Sequence, residues 1–210
     1  LPKSTHLILV VIFLGVAWVG YNFVIFPRLE MNRAMEASAK GDVHAKIHAA
    51  DMKMICHDFY RMDIKMLANE GWSQIQTFGI LIGCSRDTVH EGVKLLEEAA
   101  ATGDAEAIYR LAVAFRGSDD LKSMQLMEQA AEKGHAQAQF FNGRRYLASN
   151  PPRPADAYFW FKLAKRTTND TWITRQEQEA LALLSPNEKV AVEKRILEWD
   201  DAKAKEKTGD

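Results

Sequence analysis

"MEQAAEKGHAQAQFFNGRRY", residues 127–146, decides how this chain is read. It aligns without a gap, 31 residues downstream, with the segment "LEEAAATGDAEAIYRLAVAF" at 96–115. Ala130 falls over Ala99, Ala131 over Ala100, Gly134 over Gly103 and Ala138 over Ala107. A period of this size marks a stacked repeat, so the fold class expected is all-α, an α-solenoid of helix-turn-helix units.

Each unit has its own local logic. In "VHEGVKLLEEAAATG" the apolar residues Val89, Val93, Leu96, Ala99 and Ala100 recur at helical spacing, and Gly103 stands where a helix stops. Asp104 is placed to cap the next helix, "AEAIYRLAVAF", whose apolar stripe is Ala107, Ile108, Leu111, Ala112 and Phe115. "SMQLMEQAAEKG" and "HAQAQFFNGRRYL" repeat the arrangement, and the alanines mark where helices touch.

Working outward, "MEASAKGDVHAKIHAADM" at 35–52 is an earlier, weathered copy, with Ala37, Gly41, Asp42 and Ala45 at an offset of 62 from the 97–114 copy. "KMLANEGWSQIQTFGILIG" at 65–83 lies between, with Gly71 as its turn. Downstream, "ASNPPRP" breaks the pattern, since prolines 151, 152 and 154 do not fit a helix interior. "ADAYFWFKLAKR", "TRQEQEALALL" and "SPNEKVAVEKRILEW" resume it, Ser185 serving as an N-cap before Pro186. The tail "DDAKAKEKTGD" reads as charged and frayed. The divisions expected are 1–27, a membrane anchor; 28–91, degenerate repeats; 92–149, two clear repeats; 150–200, a capping repeat and helix; and 201–210, the tail.

The anchor is "LILVVIFLGVAWVGYNFVIF", residues 7–26, uncharged throughout and closed by Pro27 and Arg28. At about 1.5 Å per residue such a helix matches the roughly 30 Å hydrocarbon layer. A cleaved secretory signal is the rival, but the run exceeds that signal's usual apolar length and no small-x-small site follows Phe26. A single transmembrane helix is therefore expected before the repeats. Arg28, Arg33, Lys40 and Lys46 after the span favour a cytoplasmic carboxyl side. Cys56 and Cys84 lean toward an oxidising compartment and one disulfide, with two buried free thiols as the alternative. Chains with a short amino end and a large alanine-rich carboxyl domain most often export that domain. The localisation expected is the inner membrane, single-pass, with a periplasmic repeat domain.

With 27 Lys and Arg against 28 Asp and Glu, the chain has no excess charge to attract nucleic acid, which is set aside as a partner. His44 and His48 share a helix face near Cys56 and His57, but no second ligand pair accompanies them, so no metal is expected. No nucleophile frame or phosphate loop is present, and neither catalysis, a cofactor nor a small-molecule substrate is expected. Tyr158, Phe159, Trp160 and Phe161 cover every face of one helix turn, so not all of them are expected in one core. Trp160 is one candidate for partner contact, with Phe141 and Arg144 as the others.

Ala130, Ala131, Gly134, Ala138, Gly143 and Tyr146 resemble the signature of the Sel-one-like repeat (SLR) family, relatives of tetratricopeptide repeats, with Asn142 in place of a leucine. Ala99, Ala100, Gly103, Ala107, Leu111, Ala112 and Phe115 match it too, Ala112 standing for glycine. The resemblance covers roughly 35–199 and implies a right-handed superhelix acting as an adaptor in membrane-associated complexes. The function expected is a membrane-anchored scaffold that docks a protein partner. The alternative that the resemblance brings is an immunity protein neutralising a secreted antibacterial toxin at the envelope.

Overall fold

A computed structural model describes residues 26–61, 86–168 and 170–208. The chain divides into two compact units, 1–102 and 103–210. Among the described residues all regular structure is α-helical.

The first unit contains α1 (Phe26–Ala39), α2 (Val43–Arg61) and α3 (Arg86–Ala100), with α2 packed on both of the others. Gly41 turns the chain between α1 and α2, and the Asp42 carboxylate accepts the Ala45 N–H at 3.0 Å. The 35–52 segment thus forms the turn and cap that its alignment with 97–114 predicts. Ala49, Ala50, Leu96 and Ala99 are buried at the α2–α3 contact. There the helices lie so close that a Cβ on Gly92 would stand 3.3 Å from the Ala50 carbonyl oxygen. Lys46–Glu98 at 3.0 Å and Lys53–Glu91 at 2.6 Å flank this alanine-lined seam.

The second unit contains α4 (Ala105–Phe115), α5 (Asp120–Glu132), α6 (Ala136–Leu147), α7 (Pro154–Lys165), α8 (Thr171–Ala182) and α9 (Pro186–Thr208). Successive helices pack on one another from α4 to α8, and α9 returns to pack on α7. Gly103 and Gly134 both take φ near +90° (84° and 91°), a left-handed conformation that costs other residues a steric penalty. The caps follow at once: Asp104 accepts the Ala107 N–H at 2.8 Å, and His135 Nδ1 accepts the Ala138 N–H at 3.3 Å. Ala107, Ala112, Ala130, Ala131 and Ala138 have no exposed surface, as expected of contact points between helices. Two buried polar side chains fasten neighbours by taking helix carbonyls, Ser123 to Ala112 at 2.7 Å and Gln139 to Ala131 at 3.2 Å.

The helix α7 is the hub, covered by α6, α8 and α9. Its aromatic run departs from the sequence expectation: Tyr158, Phe159, Trp160 and Phe161 are all buried, at 3%, 1%, 4% and 0% exposure. A helix enclosed on several sides has no free face, so covering every face of a turn is compatible with complete burial. On the α6 side the contact is close at Gly143, whose missing side chain leaves room for the Phe161 ring. Charged groups lock the outer side. Tyr158 donates to Glu193 at 2.8 Å, Lys165 pairs with the buried Glu177 at 2.5 Å, and Arg195 pairs with Asp156 at 2.7 Å.

Two boundaries differ from expectation. Pro154 is the first residue of α7, a position where its missing N–H costs nothing. The charged tail is helical through Thr208 rather than frayed, continuing α9 from its Ser185–Glu188 capping box, with Lys203–Glu206 at 2.7 Å.

Of the expected span, residues 7–26, all but Phe26 lie outside the described residues; Phe26 opens α1. Among the described residues no helix is long and apolar enough to cross a membrane. The 65–83 segment and Cys84 also lie outside them, while Cys56 is placed only as backbone of α2.

Candidate functional site

Two helices from consecutive repeats, α4 and α6, present side chains to one face of the second unit. On α4 the stripe is Glu106, Tyr109 and Val113, at i, i+3 and i+7, and Arg116 follows as the extended C-cap residue just past the helix. On α6 it is Gln137, Phe141 and Arg144, at i, i+4 and i+7, with Ala148 next as the C-cap. Contacts between side chains bring the stripes together. The Arg116 guanidinium lies over the Phe141 ring, 4.9 Å from its centroid, and the Tyr109 ring stacks on His135 at 4.2 Å and 17°.

His135 anchors the arrangement. Its Nδ1 is occupied by the Ala138 N–H, which requires the tautomer carrying the proton on Nε2, and Nε2 donates to Glu106 at 2.8 Å. Arg110 holds the same carboxylate at 2.6 Å. Burial raises the Glu106 pKa, but hydrogen bonds from Arg110 and His135 outweigh it and hold the carboxyl below its ordinary value. Burial raises the Tyr109 pKa, opposed by the nearby positive charges of Arg116 and Arg110. Glu106 is therefore neutralised from within the face, whereas Arg144 is exposed and has no carboxylate partner among the described residues. Its guanidinium stands 6.0 Å from the Phe140 centroid, and the Phe140 ring in turn tilts against Phe161 at 5.7 Å.

Of the residues singled out in the sequence, Phe141 and Arg144 fall together on this face. Trp160 does not. It is buried in α7, edge-on to Phe159 at 5.1 Å and to Trp199 at 5.6 Å. Sequence reading missed Tyr109, Arg116 and His135. The alignment held one signal, since it puts His135 over the capping Asp104; the pairing of Arg116 with Phe141 across repeats has no signature in local spacing.

His44 and His48 are both exposed on α2, and their two companions, Cys56 and His57, have no described side chains. A cleft of about 750 Å³ also opens in the second unit, between the facing ends of α4 and α5 and the last turns of α9. Its charges are mixed, with Asp104, Glu132 and Glu206 against Lys133 and Lys203, and two of the carboxylates are already engaged, Asp104 as a cap and Glu206 by Lys203.

No protein-family model and no curated protein matches the sequence. Among solved structures, the chain is similar to a protective antigen present in uropathogenic Escherichia coli strains that displays an SLR fold. The TM-score is 0.50 at 17% identity, over 81% of this chain and 40% of that one, so the chain spans less than half the antigen's length. At that identity the likeness concerns the fold: an all-α SLR arrangement of repeated helix pairs.

Proposed function

We propose that this protein is a membrane-anchored interaction scaffold that docks a protein partner on the α4–α6 face. The observation that carries the reading is the cluster of Tyr109, Val113, Arg116, Phe141 and Arg144, drawn from two repeats and held in place by the His135–Glu106 contact. Tyr and Arg are the residues that interfaces concentrate at their energetic centres. Val113 is 37% exposed, and Phe141 is only partly covered, so the face offers apolar surface together with charge. Repeat folds suit this role because neighbouring units build a continuous surface without requiring a catalytic pocket.

The apolar run 7–26 supports attachment to the inner membrane, with the repeats on the periplasmic side. The test is retrieval of a partner by the tagged full chain from membranes in several mild detergents. The reading expects one stoichiometric protein, lost with Arg144→Glu while the helical circular dichroism of the variant is unchanged. Recovery of no stoichiometric protein in any detergent would sink it.

A further inference from the structure

The helices α4 and α6 are capped with different chemistry. Asp104 and His135 occupy equivalent positions 31 residues apart, and each accepts the N–H of the third residue on, Ala107 at 2.8 Å and Ala138 at 3.3 Å. A carboxylate accepts at any pH above its low titration range. An imidazole, which ordinarily titrates at about 6.5, accepts at Nδ1 only while that nitrogen carries no proton.

The other contacts of the His135 ring either persist on protonation or favour it. Nε2–H donates to Glu106 at 2.8 Å in both charge states, and an imidazolium stacked on Tyr109 gains a cation–π attraction. The Glu106 carboxylate is shared with Arg110, at 2.6 Å. Among the charged groups of the neighbouring helices, Glu132 and Lys133 at the end of α5 line the cleft beside Gly103, and Lys165 and Arg166 at the end of α7 are held by Glu177 and Asp200. The first turn of α6, Ala136 to Gln139, carries no charge of its own. Hydrogen bonds from Arg110 and His135 hold Glu106 below its ordinary value against the pull of burial, and burial raises Tyr109 above its own. Neither group therefore changes charge between about pH 5.5 and 7.5, the interval in which imidazoles do.

A proton on Nδ1 sets two donors against each other and puts a cation at the positive end of α6. Ala138 has no exposed surface, so its N–H cannot turn to water in place, and the first turn of the helix must shift to repair the loss. That turn carries Gln137 into the face, and the ring it gives up is the one on which Tyr109 stacks.

We infer that His135 is an acid-operated switch in the α4–α6 face: protonation at Nδ1 withdraws the cap from α6 and loosens its first turn, while Glu106 keeps hold of the ring. On the premise that this face docks a partner, acid weakens the docking.

The experiment is hydrogen–deuterium exchange of the full chain in non-ionic detergent at about pH 7.5 and about pH 5.5, resolved to single amides. Rates are expressed as protection factors, which divide out the intrinsic effect of pH. Protection at Ala138 is expected to fall by about threefold or more at the lower pH, while that at Ala107, capped by Asp104, changes by less than about 1.5-fold. With His135→Asn, whose amide oxygen accepts at both pH values, Ala138 is expected to respond no more than Ala107. The inference is overturned by steady protection at Ala138 in the wild type, by an equal fall in His135→Asn, or by an equal fall at Ala107, which marks general loosening by acid. Partner retrieval at the two pH values separates this switch from the docking reading on which its consequence rests. A stoichiometric partner released at the lower pH by the wild type, but held at both by His135→Asn, is expected. No partner at either pH, with a responsive Ala138, removes the docking reading and leaves the switch; a partner held equally at both removes acid control of docking.

Discussion

Gly143→Ala tests the close approach of α6 and α7. A Cβ built on Gly143 lies 2.5 Å from Phe161 Cε1, 2.6 Å from Cδ1 and 3.0 Å from Cζ, against an ordinary carbon–carbon contact of about 3.5–4.0 Å. The ring must therefore retreat by roughly 1 Å, yet Phe161 has no exposed surface and its ring already packs against Phe140, centroids 5.7 Å apart. Overpacking of this kind costs about 1–3 kcal/mol, and the depth of the overlap points to the upper end. The gain in helix propensity from Gly to Ala returns about 1 kcal/mol, leaving a net destabilisation of about 2 kcal/mol. The assay is urea unfolding of the full chain followed by circular dichroism, with Phe161→Leu and the double variant completing a cycle. Gly143→Ala is expected to cost markedly less when the ring has been removed. A neutral or stabilising Gly143→Ala in the wild-type background, or an equal cost in both backgrounds, would refute the packing argument.

Asn142 is 1% exposed and its Nδ2 has no hydrogen-bond partner among the described residues, so Asn142→Leu is expected to raise stability by about 1–3 kcal/mol in the same assay; an unchanged or lower urea midpoint contradicts it. Asp104→Ala removes the cap on Ala107 N–H and is expected to cost about 0.5–2 kcal/mol, while Asp104→Asn, which keeps an acceptor, costs much less. Because the folded state holds Glu106 below its ordinary value of 4.5, its contribution is in place above that value and is lost as pH falls beneath it. Urea midpoints measured downward from pH 5 are expected to fall more steeply for the wild type than for Glu106→Gln, and parallel profiles would remove this contribution. In intact cells whose outer layer has been opened, a membrane-impermeant thiol reagent is expected to label Cys56 and Cys84 only after reduction; labelling that requires rupture of the inner membrane reverses the proposed topology.

Local patterns carried the reading a long way. The turn glycines Gly41, Gly103 and Gly134, Asp42 and Asp104 as caps, and the Ser185–Pro186 helix start all depend on interactions within a few residues, and such interactions are written in spacing. The alanines at contact points were legible for a related reason, since a repeat must place its small residues at the same phase in each copy. Asn142 and Gly143 were visible as a departure from and a match to the SLR signature. Their energetic meaning was not, because it depends on the absent partner of one and the ring of Phe161 beside the other.

The sequence by itself determined the helices, their turns and the period that relates them, because hydrogen bonding within a helix and capping at its ends are local. Only the tertiary structure decided which faces are covered. It enclosed α7 and put Trp160 in the core, and it set Arg116 over Phe141 and Tyr109 against His135. Burial depends on how many neighbours surround a helix, and contact between repeats depends on how those neighbours are phased; neither quantity is contained in the spacing of residues along one helix.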